Sequence, residues 1–471
     1  MGNWTVNAIF GGDDNYYSCN TTFTITINPT AAYLTFDNKI NTIYGKQTDL
    51  TVNVYDCNNL KINDMKRIIY ILFSLFVALS ASAQPMKSIK VYGVLPSNTP
   101  EQNKANLQRA IDIASETGAA LYVEPEVGGY PIAAGVVLKR NVSLIGAHGP
   151  VGRGTRSKDG KSPVGSLFVI TDSSAPFITV ESATQIRGIQ FYYPEQSHND
   201  PSKIIAYPPT IQVSHHQNVE GVTLSSLTFY GEYMAMDFRA KPQHPCEQIL
   251  FEHCYGYPLG GEFISIDYCY DIPRILHCHI NPANMRQFGR AFSRGVIDSV
   301  IAKPTFSFAI DHTDNAQMMD VFTFGVHGGI LLGEHSYGQL TNFNLDCVSI
   351  GIHKKGGSTF NRNWQIAQGS IIANVKGCAD GIHPIIVEGQ GHTAISNVEA
   401  FSGKNGALTA EGYSDDFMLV KGDKLLTITL YGCRMRNYLS DNPITIENPS
   451  AKVQAVACVD KNEEFFSLEK K

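Results

Sequence analysis

No long basic run occurs anywhere in this 471-residue chain, and its formal net charge of −6 is spread as mixed signs along the sequence. Nucleic-acid binding needs a concentrated positive patch, so nucleic acid is not an expected partner. No apolar stretch reaches the ~20 residues that a helix needs to cross a bilayer. The longest, Ile68 to Leu79, covers twelve, so no stable membrane span is expected. The ten cysteines lack zinc-ligand spacing: Cys246/Cys254 and Cys269/Cys278 are C-x7-C and C-x8-C, so no metal site is read from them. They are expected to be small buried apolar residues rather than bridges. Asn-Gly and Asp-Gly dipeptides are too few for a propeller of tight hairpins.

What is present begins with "MKRIIYILFSLFVALSASAQP", Met65 to Pro85. Lys66 and Arg67 form a charged start, Ile68 to Leu79 an apolar centre, and Ala81-Ser82-Ala83 an A-x-A cleavage site before Gln84. Together they read as a signal peptide. The expected location is therefore secreted, periplasmic or on a bacterial cell surface. A signal peptide belongs at the start of a chain, which makes Met65 the expected natural start. Residues 1–64 then read as a segment joined on during gene prediction or assembly.

That upstream segment is β-rich. Residues 2–29 alternate around the turn-prone Gly11-Gly12-Asp13-Asp14-Asn15, and "YGKQTDLTVNVYD" (44–56) begins a second alternating run. The phrases resemble the closing and opening strands of consecutive bacterial Ig-like adhesin repeats. A sandwich of that kind needs about seven strands, so 1–64 is read as an incomplete Ig-like β segment. The domain division is then 1–64, the signal peptide 65–83, and 84–471.

Within 84–471, "TPEQNKANLQRAIDIASETG" (99–118) predicts a helix. Thr99 is the N-cap, Pro100 the first helical residue and Gln102 the capping-box partner. Leu107, Ala110, Ile111 and Ala114 fall on one face, and Gly118 ends it. Forty-one glycines and 22 prolines then punctuate short Val/Ile/Thr/Phe runs. Several runs end on an acid: Asp237, Asp267, Asp311, Glu334, Glu388, Glu411 and Glu447, at intervals of 30, 44, 23, 54, 23 and 36 residues. The 54-residue gap fits an extra coil with His353 at the acid's place, and the 44-residue gap fits an insertion around Asn281–Thr305. Repeats this short cannot bury a core alone and must stack. The expected fold is all-β, a right-handed parallel β-helix with an N-terminal capping α-helix.

The order of the helix with Leu107-Gln108-Arg109-Ala110-Ile111-Asp112, then "LYVEPEVGGYPI", "LKRNVSLIGAHG" and β-coils resembles the pectate-lyase superfamily, in its rhamnogalacturonase/epimerase-like branch, over about residues 88–460. The resemblance implies the fold and a carbohydrate-related role. The turn before the helix, "GVLPSNTPEQN", departs from the Gly/Asp-rich turn usual in that branch. The polygalacturonase signature set is not assembled, since "HTDN" and "GQGH" are isolated echoes and Asp415-Asp416 lies too late in the chain.

In a parallel β-helix, equivalent residues of successive coils lie ~4.8 Å apart. Asp237, Asp267, Asp311 and Glu334 are thus expected to form a carboxylate ladder. Retaining glycosidases use carboxyls ~5–5.5 Å apart and inverting ones ~6.5–9.5 Å, and stacked like charges raise some pKa values. The densest titratable cluster holds Asp311, His312 and Asp314, with His327, Glu334 and His335 one coil later. The expected catalytic set is therefore Asp311, Asp267, Glu334, Asp314 and His312. Substrate contacts are assigned to Asp237, Arg286 and His335, and to Tyr192, Tyr193, Tyr230 and Tyr257 as sugar-stacking rings. No cofactor is required for hydrolysis; β-elimination would bring in Ca²⁺ on the carboxylates and the charge of Arg286, Arg290 and Arg294. The expected function is cleavage of an extracellular, acidic polysaccharide by hydrolysis or elimination. The alternative is a non-catalytic binding or tailspike-like module, for which a homo-oligomer would be natural.

Overall fold

The computed structural model describes residues 86–147, 164–355, 363–377, 381–404, 406–408 and 411–470, and four strands before them. The proposed signal peptide and the turn at Gly11–Asn15 lie outside the described residues. Of the first unit, Gly2–Phe10 pairs antiparallel with Cys19–Ile27, and Ala32–Phe36 with Val52–Asp56. A second compact unit runs from Met86 to Lys471.

The second unit is a parallel β-helix. Each coil contributes strands to three parallel stacks. The stack that carries the site includes Met236–Arg239, Ile264–Asp267, Phe306–Ile310 and the later parts of Phe322–Leu332 and Gly338–Lys354. His383–Val387, Met418–Val420 and Ile444–Ile446 continue it. Alternation along each strand sends one set of side chains inward. Phe308, Ile330, Ile352, Ile385 and Met418 form one inward column on successive coils, all fully buried. No single coil could bury these residues, and stacking does. A ring ladder, Phe168–Phe191–Phe229–Phe263–Phe308, threads the core with centroids 5.1–6.3 Å apart.

The predicted helix spans Pro100–Thr117. Thr99 and Gln102 form the capping box, Gly118 ends the helix in the left-handed conformation, and Leu107, Ala110, Ile111 and Ala114 are buried. The Asn281–Thr305 insertion holds a 3-10 segment, Pro282–Phe288, and a helix, Arg294–Ile301. Seven cysteines, Cys246, Cys254, Cys269, Cys278, Cys347, Cys433 and Cys458, are buried and unbridged, filling core positions as small apolar residues. The strand Phe465–Lys470 runs antiparallel to Ala451–Val459.

Candidate functional site

The outward column of the site-bearing stack is set by hydrogen bonds, and it differs from the expected carboxylate ladder. Arg239 pairs in register with Asp267, and Ile266 with Ile310, which places Asp311 on the next rung. The backbone N–H groups of Asp311, Gly333, Lys355, Glu388, Lys421 and Glu447 each donate to the preceding coil at the same level. The column is therefore Arg239, Asp267, Asp311, Gly333, Lys355, Glu388, Lys421, Glu447. It mixes charges, with two adjacent acids near one end.

Several sequence assignments are corrected by this register. Asp237 lies opposite Ser265, two residues off the column, and is bound by Arg239, whose Nε donates to Oδ1 at 2.8 Å and whose Nη2 donates to Oδ2 at 3.0 Å. Glu334 sits one residue past the rung, half exposed, with Lys424 Nζ 3.8 Å away. His353 occupies the neighbouring column, next to Leu331 and Ile386, and Lys355 takes the rung instead. Glu411 lies in a connecting segment. The register follows the inward apolar residues, and acids at strand ends are free to fall one or two positions either side.

Tyr193, Tyr230 and Tyr257 are buried and present no ring face to a sugar. Their hydroxyls are used internally: Tyr230 donates to Gln190 Oε1 at 3.2 Å and Tyr257 to the Gly325 carbonyl at 2.6 Å. Arg290 bonds Tyr192 and the Gln196 carbonyl, and Arg294 the Gly406 carbonyl. Exposed Arg286 lies on the 3-10 segment and, among the described residues, makes no hydrogen bond or ion pair with the acids. Asp314 accepts a hydrogen bond from the Tyr337 hydroxyl.

Asp267, Asp311, His312 and His335 do come together, because the same corner is built twice. Asp267 Oδ1 accepts from the Tyr268 N–H at 2.9 Å, and Asp311 Oδ1 from the His312 N–H at 2.9 Å. Tyr268 and His312 both take left-handed backbone angles, φ 51° and 33°, an uncommon conformation for side-chain-bearing residues. Equivalent corners on neighbouring coils stack their rings. Tyr268 lies 4.2 Å from His312 at 13°, and His312 lies 3.9 Å from His335 at 11°. His312 Nδ1 is 2.8 Å from Asp267 Oδ1. The His335 N–H donates to Asp311 Oδ1 at 2.7 Å, and His335 Nδ1 is 3.5 Å from that oxygen. Burial, followed by the neighbouring Asp311 charge, raises the Asp267 pKa against the opposing pull of His312.

Gly333 makes this arrangement fit. A Cβ there would meet Asp311 Cγ at 2.6 Å, so the rung next to Asp311 carries no side chain and the acid faces a notch. The sequence signal for the corner is the repeated Ile-Asp-aromatic phrase, Ile266-Asp267-Tyr268 and Ile310-Asp311-His312. The role of Gly333 has no signal of its own, because it depends on register.

The donor atoms of Asp311, His312 and His335 lie within 4.8 Å of one another. A metal bound by imidazole sits about 2.0–2.1 Å from nitrogen, along the lone pair in the ring plane. Two stacked, nearly parallel rings share no such point, so this arrangement does not fit a two-histidine centre. On the two carboxylates, the Oδ1 atoms are engaged with a histidine ring and three backbone N–H groups.

No protein-family model and no curated protein matches the chain. Among solved structures it is similar to the A-module of an Azotobacter vinelandii mannuronan C-5 epimerase, with 13% identity, 79% of this chain and 99% of that one covered, and a TM-score of 0.43. It is also similar to the DFA-IIIase of Arthrobacter chlorophenolicus A6, with 10% identity, 79% and 93% covered, and a TM-score of 0.45. A third is an Acinetobacter phage tailspike, with 8% identity, 95% and 74% covered, and a TM-score of 0.49. Likeness at this level says nothing about activity, ligand or assembly.

Proposed function

We propose that the β-helix is an exported glycoside hydrolase that cleaves an extracellular polysaccharide at the Asp267–Asp311 pair. The observation that carries this reading is the placement of two carboxylates on adjacent rungs, open to a glycine notch and bracketed by His312 and His335. Adjacent rungs are ~4.8 Å apart, near the ~5–5.5 Å carboxyl separation of retaining enzymes. Asp311, fixed by two backbone N–H groups, attacks the anomeric carbon as the glycosidic C–O bond breaks. Asp267, whose raised pKa suits a proton donor, protonates the departing oxygen. Water then cleaves the glycosyl ester, giving its proton back to Asp267.

Arg239 beside Asp267 is matched by Asp237, and exposed Lys355, two rungs past Asp311, supplies the column with a cation for a polymer carrying anionic sugars. Hydrolysis is preferred to elimination because Arg290 and Arg294, whose charge elimination would use, are held by other groups and Arg286 makes no bond to the acids among the described residues. The test is product analysis by NMR and by ultraviolet absorbance on acidic polysaccharides. Retained anomeric configuration without unsaturated ends is expected, and Asp311→Asn should lower turnover by at least ~10³-fold with the melting temperature preserved. Unsaturated products would replace this reading with elimination. Undiminished binding without cleavage by the unaltered protein would replace it with the non-catalytic module.

A further inference from the structure

One face of the β-helix is almost uncharged. Leu276, Met319 and Thr341 lie in register on successive coils and lead to Ala367, and Ser396, Tyr431 and Val456 follow it on the next three. Two residues earlier in each strand, a parallel column runs Arg274, Gln317, Gln339, Gln365, then Ala394, Thr429 and Gln454. Both columns point outward, because the residues between them, such as Met318, Ile366 and Leu430, are buried. Arg274 is the single ionisable group among these fourteen positions. Its Nε donates along the face to Gln317 Oε1 at 3.3 Å. The column that carries Asp267 and Asp311, by contrast, has an ionisable side chain on every rung but Gly333. A face built only to meet water needs no such exclusion of charge.

The first column also reads alike in both directions. Ala367 is its midpoint, hydroxyls stand one rung away at Thr341 and Ser396, and large apolar side chains stand two and three rungs away. Met319, Tyr431 and Val456 are 37%, 60% and 42% exposed. Solvation does not require that symmetry, whereas a two-fold interface requires a patch complementary to itself. A two-fold axis along the Gln365–Ala367 strand reverses the coil order of the second copy and keeps each column opposite itself. Met319 then meets Tyr431 of the second copy, Leu276 meets Val456, and Thr341 meets Ser396. Arg274 meets Gln454, so no charge of the two columns faces its like. Seven coils at ~4.8 Å and about five residues of strand at ~3.3 Å make a flat face of roughly 550 Å², close to the roughly 600 Å² per partner at which stable interfaces begin.

We infer that this face joins two copies of the chain into an antiparallel, two-fold dimer centred on Ala367. The dimer does not depend on the hydrolase reading, and the acid pair stays uncovered because it lies on a different stack.

The test is sedimentation velocity of the full chain at micromolar concentration, where a dimer is expected. Ala367→Arg sets two like charges against each other on the axis and should raise the dissociation constant at least ~10²-fold, with the circular dichroism spectrum unchanged. Crosslinking by a short bis-maleimide checks the register. Ala367→Cys should be captured as a dimer, since its two copies face each other across ~10 Å. Met319→Cys mixed with Tyr431→Cys should be captured too. Neither the unaltered protein nor Tyr431→Cys alone should be, because the two copies of residue 431 lie about four rungs, ~19 Å, apart along the face. A monomer, a trimer, a dimer that survives Ala367→Arg, or capture of Tyr431→Cys as readily as Ala367→Cys each overturns the inference. A monomer that loses binding to a neutral glycan on Ala367→Arg would give the face to a sugar chain instead.

Discussion

The side chains that matter most at the residue scale are defined by what their neighbours leave out. Gly333 is the clearest case, because its missing Cβ is the space beside Asp311. Gly333→Ala should push the carboxylate aside and cut turnover by about 10²-fold, the usual cost of a misplacement near 1 Å. Thermal melting would change little. Equal activity in the variant would mean that Asp311 is not the attacking group. Glu232 is the opposite case, a carboxyl sealed in the core. Its Oε1 accepts from the Tyr257 N–H at 2.6 Å, Oε2 has no partner among the described residues, and burial pushes its pKa up to about 8. The folded state thus holds this proton more tightly than the unfolded chain. Its stabilising contribution is complete below the ordinary carboxylate pKa and is lost as pH rises toward 8. Glu232→Gln should flatten the fall in urea midpoint between pH 5 and pH 8. Parallel curves for the two proteins would show that Glu232 is ionised in the fold.

At the scale of the element, each strand is a short inward–outward alternation whose register is fixed by what faces in. The inward column Ile310, Leu332, Lys354, Val387, Val420 is apolar except at Lys354. That lysine is fully buried, and burial lowers its pKa to about 8. The unfolded chain therefore binds the proton more readily, and stability rises with pH from about 8 towards the ordinary lysine value. Lys354→Met, similar in length and apolar, should raise the unfolding midpoint at pH 7 and erase the gain seen between pH 8 and pH 10. A lower midpoint in guanidinium titration would mean that the ammonium is structurally required, through contacts such as that of Nζ with the Gln390 carbonyl.

For the whole molecule, stacked coils make stability and site geometry a shared property of neighbours. The acid pair, the Tyr268–His312–His335 ladder and the uncharged face all arise between coils rather than within one. The export reading belongs at this scale too. When the natural gene is expressed in a bacterial host with a secretion system, the mature protein should carry Gln84 at its N-terminus by Edman or mass-spectrometric sequencing. A mature protein that retains residues 1–64 would refute the assignment of Met65 as the start.

Local features were legible in the sequence because their physics is local. The Thr99–Gln102 capping box, the buried face of Leu107, Ala110, Ile111 and Ala114, and the Gly118 stop depend only on neighbours within a turn or two. Short β-branched runs between glycines determined a stacked β-coil architecture, since no such coil can bury its own apolar side. The meeting of Asp267, Asp311, His312 and His335 was also readable, because the same phrase closes two consecutive coils. What only the tertiary structure decided was register and facing. Coil lengths vary, so spacing along the chain could not say that Arg239, rather than Asp237, lies beside Asp267. Nor could it say that Tyr230 and Tyr257 turn into the core, or that Thr341 and Ser396 flank Ala367 on adjacent rungs. Inter-coil hydrogen bonds and the packing of inward side chains set those relations, and they act between residues that the sequence holds tens of positions apart.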